Sequence, residues 1–297
     1  MNLGATAIDD TFAEAFGMTY TRLLITAHDR HWLAAAVHEL TGYSSSIIAC
    51  DAEAGLERWV PAADTPDGRE GAAVLIFGFS SDGLAKAVAN RVGQCVMTCP
   101  STAVFDGLPA VEKRMPLGKH IRFFGDGYQK SKLVEGRRYW RIPVMDGEFL
   151  IQDTIGVAKG VGGGNIILQG SNAQAALDAA RRGVEAVAAR TEVITPFPGG
   201  VARSGSKVGS KYKSLKASTS DAFCPTLRGR VESKLHPQTN CALEIVIDGA
   251  SEGAVGEAMS AAIRAAAGNG IVAITAGNYG GKLGKFHFYL HKLLAAA

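Results

Sequence analysis

Four times along the chain a short apolar run gives way to a polar turn, a stretch of roughly 12 to 18 residues with helical spacing, and a second apolar run. The first copy starts at residues 21–26, passes through a helix around Trp32 to Leu40 and ends in the run 46–50. The second has the apolar run 72–78, a cap at Ser80, Ser81 or Asp82, a helix through Val92 and a run at 94–98. In the third, residues 165–170 lead to a helix with Leu177, Ala180, Val184, Val187 and Ala188 on one stripe and Asp178, Arg182 and Glu185 facing away. The fourth opens at 241–247, is capped near Ser251, runs through Ala267 to a stop at Gly268–Gly270, and continues into 271–275 and 285–290. Further strands are predicted at 119–124 and 149–152.

Each copy reads as a β-α-β unit, and two copies in each half predict two lobes, 1–148 and 149–297. A doubly wound parallel sheet is one solution. Strands such as 285–290, where Phe286, Phe288 and Leu290 share a face, alternate in the manner of half-exposed antiparallel strands. The predicted fold is therefore α+β: each lobe is a mainly antiparallel sheet with helices on one face, in the split β-α-β, ferredoxin-like arrangement.

Charge and composition narrow the function classes. Lys and Arg total 31 against 28 Asp and Glu, and a net charge of +3 is too small for the one-signed field that nucleic-acid binding uses. Residues 1–16 carry acids where a secretory signal has a basic start, and no apolar run approaches about 18 residues, so a soluble cytoplasmic protein without membrane partners is expected. Cys50, Cys95, Cys99, Cys224 and Cys241 lack C-x-x-C spacing and read as reduced, mostly buried thiols. His28 and His31 sit three apart at a helix start and the other histidines have no converging ligands in the sequence pattern, so no metal site is expected. No G-x-S-x-G elbow is present.

Glycines gather in five loops: 124–128, 160–164, 196–200, 205–210 and 277–284. Such loops either turn tightly between strands or let backbone approach a ligand. None is a nucleotide fingerprint: 277–282 is one residue short of a phosphate loop and is followed by Leu283 where Ser or Thr is needed, and 160–164 precedes a strand. The segment 203–226 interleaves Arg203, Lys207, Lys211, Lys213 and Lys216 with hydroxyl residues, and suits either an anionic ligand or solvent. Glu244 stands inside the apolar run 241–247. It either faces solvent from a half-buried strand or is desolvated with its pKa raised toward neutrality, as a proton shuttle would be.

Taken in order, DTFAEAF (10–16), GQCVMTCPSTAVFD (93–106), FFGDGYQ (123–129), TPFPGG (195–200), SKVGSK (206–211), STSDAFCPT (218–226), EIVIDG (244–249) and AGNYGGKLG (276–284) resemble the formylmethanofuran:tetrahydromethanopterin formyltransferases over residues 8–294. The resemblance implies reversible transfer of a formyl group between formylmethanofuran and tetrahydromethanopterin, giving the N5-formyl product. It also implies two α/β lobes, a homotetramer, no tightly bound cofactor, and the two coenzymes as cosubstrates. It makes Glu244 the expected proton shuttle, with Ser206 and Asn278 as candidates for holding the oxyanion. Lys207, Ser210, Lys211 and Lys282 would meet the anionic coenzyme tails, Phe197, Phe124, Tyr128 and Tyr279 would wall the pterin, and the loops add Gly199, Gly200 and Asp126. The near-neutral charge departs from the acidic methanogen members and points to bacterial relatives that work beside hydrolase subunits in methylotrophic formaldehyde oxidation, with formyl running toward methanofuran. A noncatalytic scaffold or coenzyme-binding subunit of such a complex is the alternative; a folate-type or nucleotide-dependent enzyme finds no motif.

Overall fold

The structure, a computed structural model, describes residues 1–296. The chain forms two compact units, one of Met18–Gly160 and one that joins Met1–Gly17 to Val161–Ala297. The division at 148/149 is one of sequence; the compact units are assembled in space, and the second draws its first strands from the N-terminal residues.

Within Met18–Gly160, residues 19–26 of the strand Phe12–Thr26 lie between Gly71–Gly78 and Ala103–Asp106, antiparallel to both, and Glu53–Val60 pairs antiparallel with the outer side of Gly71–Gly78. The helix Arg30–Thr41 links the first of these strands to Glu53–Val60, and Ser81–Arg91 links Gly71–Gly78 to Ala103–Asp106, so each crossover skips one strand. That is the split β-α-β pattern. Leu23, Ile25, Val74, Ile76 and Val104 point into one core with Leu33, Val37 and Leu40 of the first helix and Leu84 and Val88 of the second, which places both helices on one face. Gly147–Gln152 extends the sheet parallel to Ala103–Asp106, followed by the antiparallel strands Arg137–Val144 and Lys130–Val134.

The other unit repeats this order. Ala158–Gly170 runs antiparallel to Cys241–Gly249 on one side and Ile271–Thr275 on the other, and Val193–Ile194 closes the far edge of Cys241–Gly249. The helices Ala173–Ala188 and Glu252–Ala266 cover the face that carries Ile166, Leu168, Ile245 and Ile247. The N-terminal strand Thr6–Ile8 adds parallel to Ile271–Thr275, and Phe286–Tyr289 pairs antiparallel with residues 12–15. The fold is mixed α+β with mainly antiparallel sheets, as the alternation predicts. Each long helix starts at a side-chain cap: Asp29, Ser80, Asn172 and Ser251 accept backbone N–H groups of the first turn, each worth about 1 kcal/mol.

Several local expectations are corrected. Residues 46–50 form turns and the strand starts at Glu53; residues 92–96 form a π-helical turn that continues the preceding helix, and the strand follows at Ala103. Short apolar runs do not distinguish the two states, and Val92 and Val96 are buried at helical spacing. The strand predicted at 119–124 is a helical turn, Gly118–Ile121, followed by a 3-10 turn. Glycines 160–164 lie inside the strand Ala158–Gly170, with a register shift between Val161 and Gly164 where Gly163 takes a φ of 86°, and position 164 is held to glycine because a Cβ there would stand 2.4 Å from Val255. The buried stripe of Ala173–Ala188 is Ala176, Ala179, Ala180, Gly183 and Val187, rotated from the expected one, so Leu177 and Ala188 are exposed. All five cysteines are free and half-buried. Among the described residues no helix is long and apolar enough to cross a membrane.

Candidate active site

Alternation puts Leu243, Ile245 and Ile247 of the strand Cys241–Gly249 against the helices and Glu244 on the opposite face. In an uncovered antiparallel sheet that face would be wet. Here Glu244 is only 5% exposed. Ala202 exchanges both backbone hydrogen bonds with Glu244, at 2.8 and 3.0 Å, and the chain then turns so that Ser206 Oγ donates to Glu244 Oε1 at 2.9 Å. The desolvated reading of Glu244 therefore holds and the solvent-facing one does not: the side chain leaves the helical core, but the 202–206 segment seals the other side.

The second carboxylate oxygen, Oε2, is buried without a hydrogen-bond partner. Burial drives the Glu244 pKa up and the Ser206 hydroxyl offsets part of that, leaving it at about 7. A small cavity of about 30 Å³ adjoins it, lined by Arg203, Gly205, Ser220, Cys224 and Ile167 among others. A carboxyl group that exchanges its proton near neutrality, with one oxygen free and enough room for about one small group, is suited to general acid–base work.

The loop 277–284 is built on another buried carboxylate, that of Glu14, which is 1% exposed. Tyr279 and Gly281 donate backbone N–H groups to Oε2 at 2.7 and 2.9 Å, and Leu283 and Gly284 donate to Oε1 at 2.5 and 2.6 Å. Burial disfavours the charge, but the four amides outweigh it and hold the pKa of Glu14 below the usual carboxylate range. Gly280 and Gly281 adopt φ of 70° and 73°, which lets consecutive amides converge. At Gly284 a Cβ would stand 2.4 Å from Ala15 O. Tyr279 projects from this loop, donating its hydroxyl to Ser206 O at 2.7 Å and accepting from Val208 N–H at 3.3 Å. Burial raises its pKa.

Glu244, Ser206 and Tyr279 are thus brought together, with Glu14 behind them, a residue the sequence reading missed. Its signal was the same one that singled out Glu244, an acid inside an apolar strand, in residues 12–16. Asn278 gives its side-chain N–H groups to Thr11 Oγ1 and Phe12 O, at 3.2 and 3.0 Å, so in this geometry neither is directed to a ligand. Lys207 forms an exposed ion pair with Asp221 at 2.9 Å, and Ser210 Oγ accepts the Tyr212 N–H. Lys211 and Lys282 are exposed. Phe197 is half-buried ahead of Gly199 and Gly200, both in left-handed conformation, in the segment that runs into Ala202. Phe124, Asp126 and Tyr128 belong to the other unit, at an exposed turn. A larger cavity in that unit, about 690 Å³, includes Lys86, Lys113, Arg114 and His120 in its wall and none of the expected site residues. Among the described residues no group of three or more His, Cys, Asp or Glu could hold a metal ion.

Two family models match the chain: formylmethanofuran-tetrahydromethanopterin formyltransferase over residues 1–144, and the proximal lobe of that family over residues 147–293. The formylmethanofuran--tetrahydromethanopterin formyltransferase of Methylococcus capsulatus is 52% identical, covering 99% of this chain and 100% of that one. The crystal structure of the formyltransferase/hydrolase complex from Methylorubrum extorquens in complex with methylofuran holds a chain that superposes with a TM-score of 0.95 at 47% identity, covering 99% of this chain and 98% of that one. The formyltransferase of Methanosarcina barkeri superposes with a TM-score of 0.93 at 44% identity, covering 99% and 100%.

Proposed function

The chain belongs to the formylmethanofuran–tetrahydromethanopterin formyltransferase family, and on that premise we propose that it transfers a formyl group between the two coenzymes with Glu244 as the proton shuttle. The observation that carries the role of Glu244 is its burial beside Ser206 with a pKa of about 7 and one unpartnered oxygen. In the reaction the amine nitrogen of one coenzyme adds to the formyl carbon of the other, the carbonyl oxygen becomes an oxyanion, and the original C–N bond breaks. The attacking nitrogen loses a proton and the leaving nitrogen gains one. Glu244 accepts the first proton as a carboxylate and returns it as an acid, a contribution of about 10²- to 10⁴-fold. Ser206 sits within reach of the same centre and supplies a hydroxyl to the oxyanion or to Glu244.

The coenzymes are substrates, each leaving after turnover. Lys207, Lys211 and Lys282 are proposed to meet their anionic tails, with Ser210 beside them, and Phe197, Gly199, Gly200 and Tyr279 to form the wall nearest the Glu244 segment. The likeness to a chain of the Methylorubrum formyltransferase/hydrolase complex supports a place beside hydrolase subunits; a cytoplasmic setting, formyl transfer toward the furan coenzyme and a homotetramer are part of the same proposal.

The test is a spectrophotometric assay of the purified chain with formylmethanofuran and tetrahydromethanopterin, repeated with Glu244→Gln. Rapid transfer that the substitution abolishes while coenzyme binding persists supports the reading. Binding without transfer in the unmodified chain, with or without hydrolase subunits, would make it a coenzyme-binding scaffold.

A further inference from the structure

We propose that Glu14 is a positioning residue for the Glu244 site, folding the 279–284 loop around its carboxylate so that Tyr279 holds the Ser206–Val208 segment against Glu244. The proposal rests on Glu244 being the proton shuttle. Glu14 itself is fixed in the sheet: it pairs with His287, and its N–H donates to Gly277 O at 3.2 Å. Glycine-rich loops whose amides converge ordinarily bind an external anion. In this chain the anion is internal, with two amides on each oxygen of Glu14.

The base of the loop is also secured. Asn165 accepts the Gly277 N–H at 2.6 Å and donates to Gly277 O at 3.2 Å. With its base anchored and its amides drawn onto Glu14, the loop leaves Tyr279 little freedom, and both hydrogen-bonding capacities of its hydroxyl are spent on the 206–208 segment. Ser206 Oγ then meets Glu244 at 2.9 Å. Glu14 therefore reaches Glu244 through two intermediaries. A glutamine at position 14 keeps one acceptor oxygen and turns an NH₂ toward two N–H donors, which the loop can relieve only by moving.

The experiment compares the full chain with Glu14→Gln, Tyr279→Phe, Ser206→Ala and the double variant Glu14→Gln/Ser206→Ala, measuring kcat against pH with both coenzymes and thermal stability in parallel. Glu14→Gln and Ser206→Ala are each expected to lower kcat about 10- to 100-fold, as for other small displacements of a reacting group. Both should move the apparent pKa of the Glu244 limb upward, because both remove the hydroxyl that favours the carboxylate. The double variant should be within about threefold of the worse single one, the signature of residues on one path.

Direction makes the test sharp. Losing the Glu14 charge through space would move that pKa down, and a purely structural role would lower stability without moving the profile. Arg203, Cys224 and Tyr279 are the other titratable groups facing Glu244 or its cavity, and only Tyr279 is altered. Tyr279→Phe keeps the Glu14 bonds, should reproduce the upward shift, and carries the test if Glu14→Gln does not fold. An unmoved or downward-shifted profile in the folded variants overturns the proposal. A Glu244→Gln variant that keeps its rate would overturn the reading of Glu244 and this proposal with it, whereas an inactive Glu244→Gln beside unmoved Glu14→Gln and Tyr279→Phe profiles overturns this proposal alone.

Discussion

Ser206 and Glu244 lie 38 residues apart and share a 2.9 Å hydrogen bond that is the only one reaching the Glu244 carboxylate among the described residues. One donor on a buried carboxylate is too few to keep it charged, and Glu14, with four, shows the opposite outcome in the same unit. The unit thus holds two buried acids of opposite tendency, one whose pKa is raised to about 7 and one held as an anion.

That single donor leads to the first prediction. Ser206→Ala removes the one interaction that favours ionised Glu244, so the apparent pKa should rise above about 7. The limb of the pH–rate profile that reports Glu244 should move toward higher pH by about one unit or less, the size of a typical single hydrogen bond. Steady-state rates across the neutral range would show it.

Stability should carry the same signature with a definite sign. The folded pKa of Glu244 is raised from 4.5 to about 7, so its folded state holds a proton that the unfolded chain releases between those values. Glu244 therefore costs no stability below pH 4.5, loses it progressively between 4.5 and 7, and above 7 is destabilising by roughly 3 kcal/mol. Glu244→Gln should gain stability on the parent as pH rises through that window and show no pH-dependent gain below it. Urea unfolding of both proteins at acidic and alkaline pH measures this.

Glycines of the 277–284 loop should differ sharply in tolerance. Gly284→Ala brings a Cβ to 2.4 Å from Ala15 O and 2.8 Å from Glu14 Cγ, a clash with backbone that the strand cannot relieve. At Gly280 nothing lies within 4 Å, and only the left-handed φ of 70° opposes alanine, about 1–2 kcal/mol. Equilibrium denaturation should rank Gly284→Ala well below Gly280→Ala, and only the former should disturb the rate out of proportion to its stability.

Lys207 is engaged by Asp221, whose pKa is lowered chiefly by the hydrogen bond from that lysine. If Lys207 also receives a coenzyme carboxylate or phosphate, Asp221 competes with it. Asp221→Asn should then lower the KM of the coenzyme concerned several-fold at low salt, about the effect of freeing one exposed charge, and added salt should erase the difference. A KM independent of both salt and this substitution would assign the tail to other residues.

The repeated β-α-β pattern was legible because period and capping agree: Ser251 and its helix, for example, stand where the spacing puts them. What failed was the identity of short apolar runs. Residues 94–98 look like a strand, yet 94–96 continue a helix and 97–98 turn, because burial at Val92 and Val96 follows helical spacing. Glycines 160–164 look like a loop and lie in a strand, since the reason for Gly164 is the side chain of Val255, more than 90 residues away. Of the site, the desolvated Glu244 could be anticipated from its neighbours in sequence, but its cover by residues 202–206 could not. Glu14 was equally visible in kind; its meaning depended on four amides at the far end of the chain.

That distance has a consequence for biosynthesis. Glu14 is made 265 residues before Tyr279, the nearest of the loop residues whose amides its carboxylate receives. At a translation rate of about 5–20 residues per second it waits on the order of 10 to 50 seconds for them. The intervening residues Met18–Gly160 include a complete four-strand motif with its own core and can close in that interval, whereas the strand bearing Glu14 still awaits Phe286–Tyr289. Nascent chains released before residue 279 would thus carry a buried-type acid with no amides to receive it. Ribosome-associated chaperones would see such an unfinished edge for most of the time the protein takes to be made, and catalytic competence would arrive only as synthesis reaches that loop.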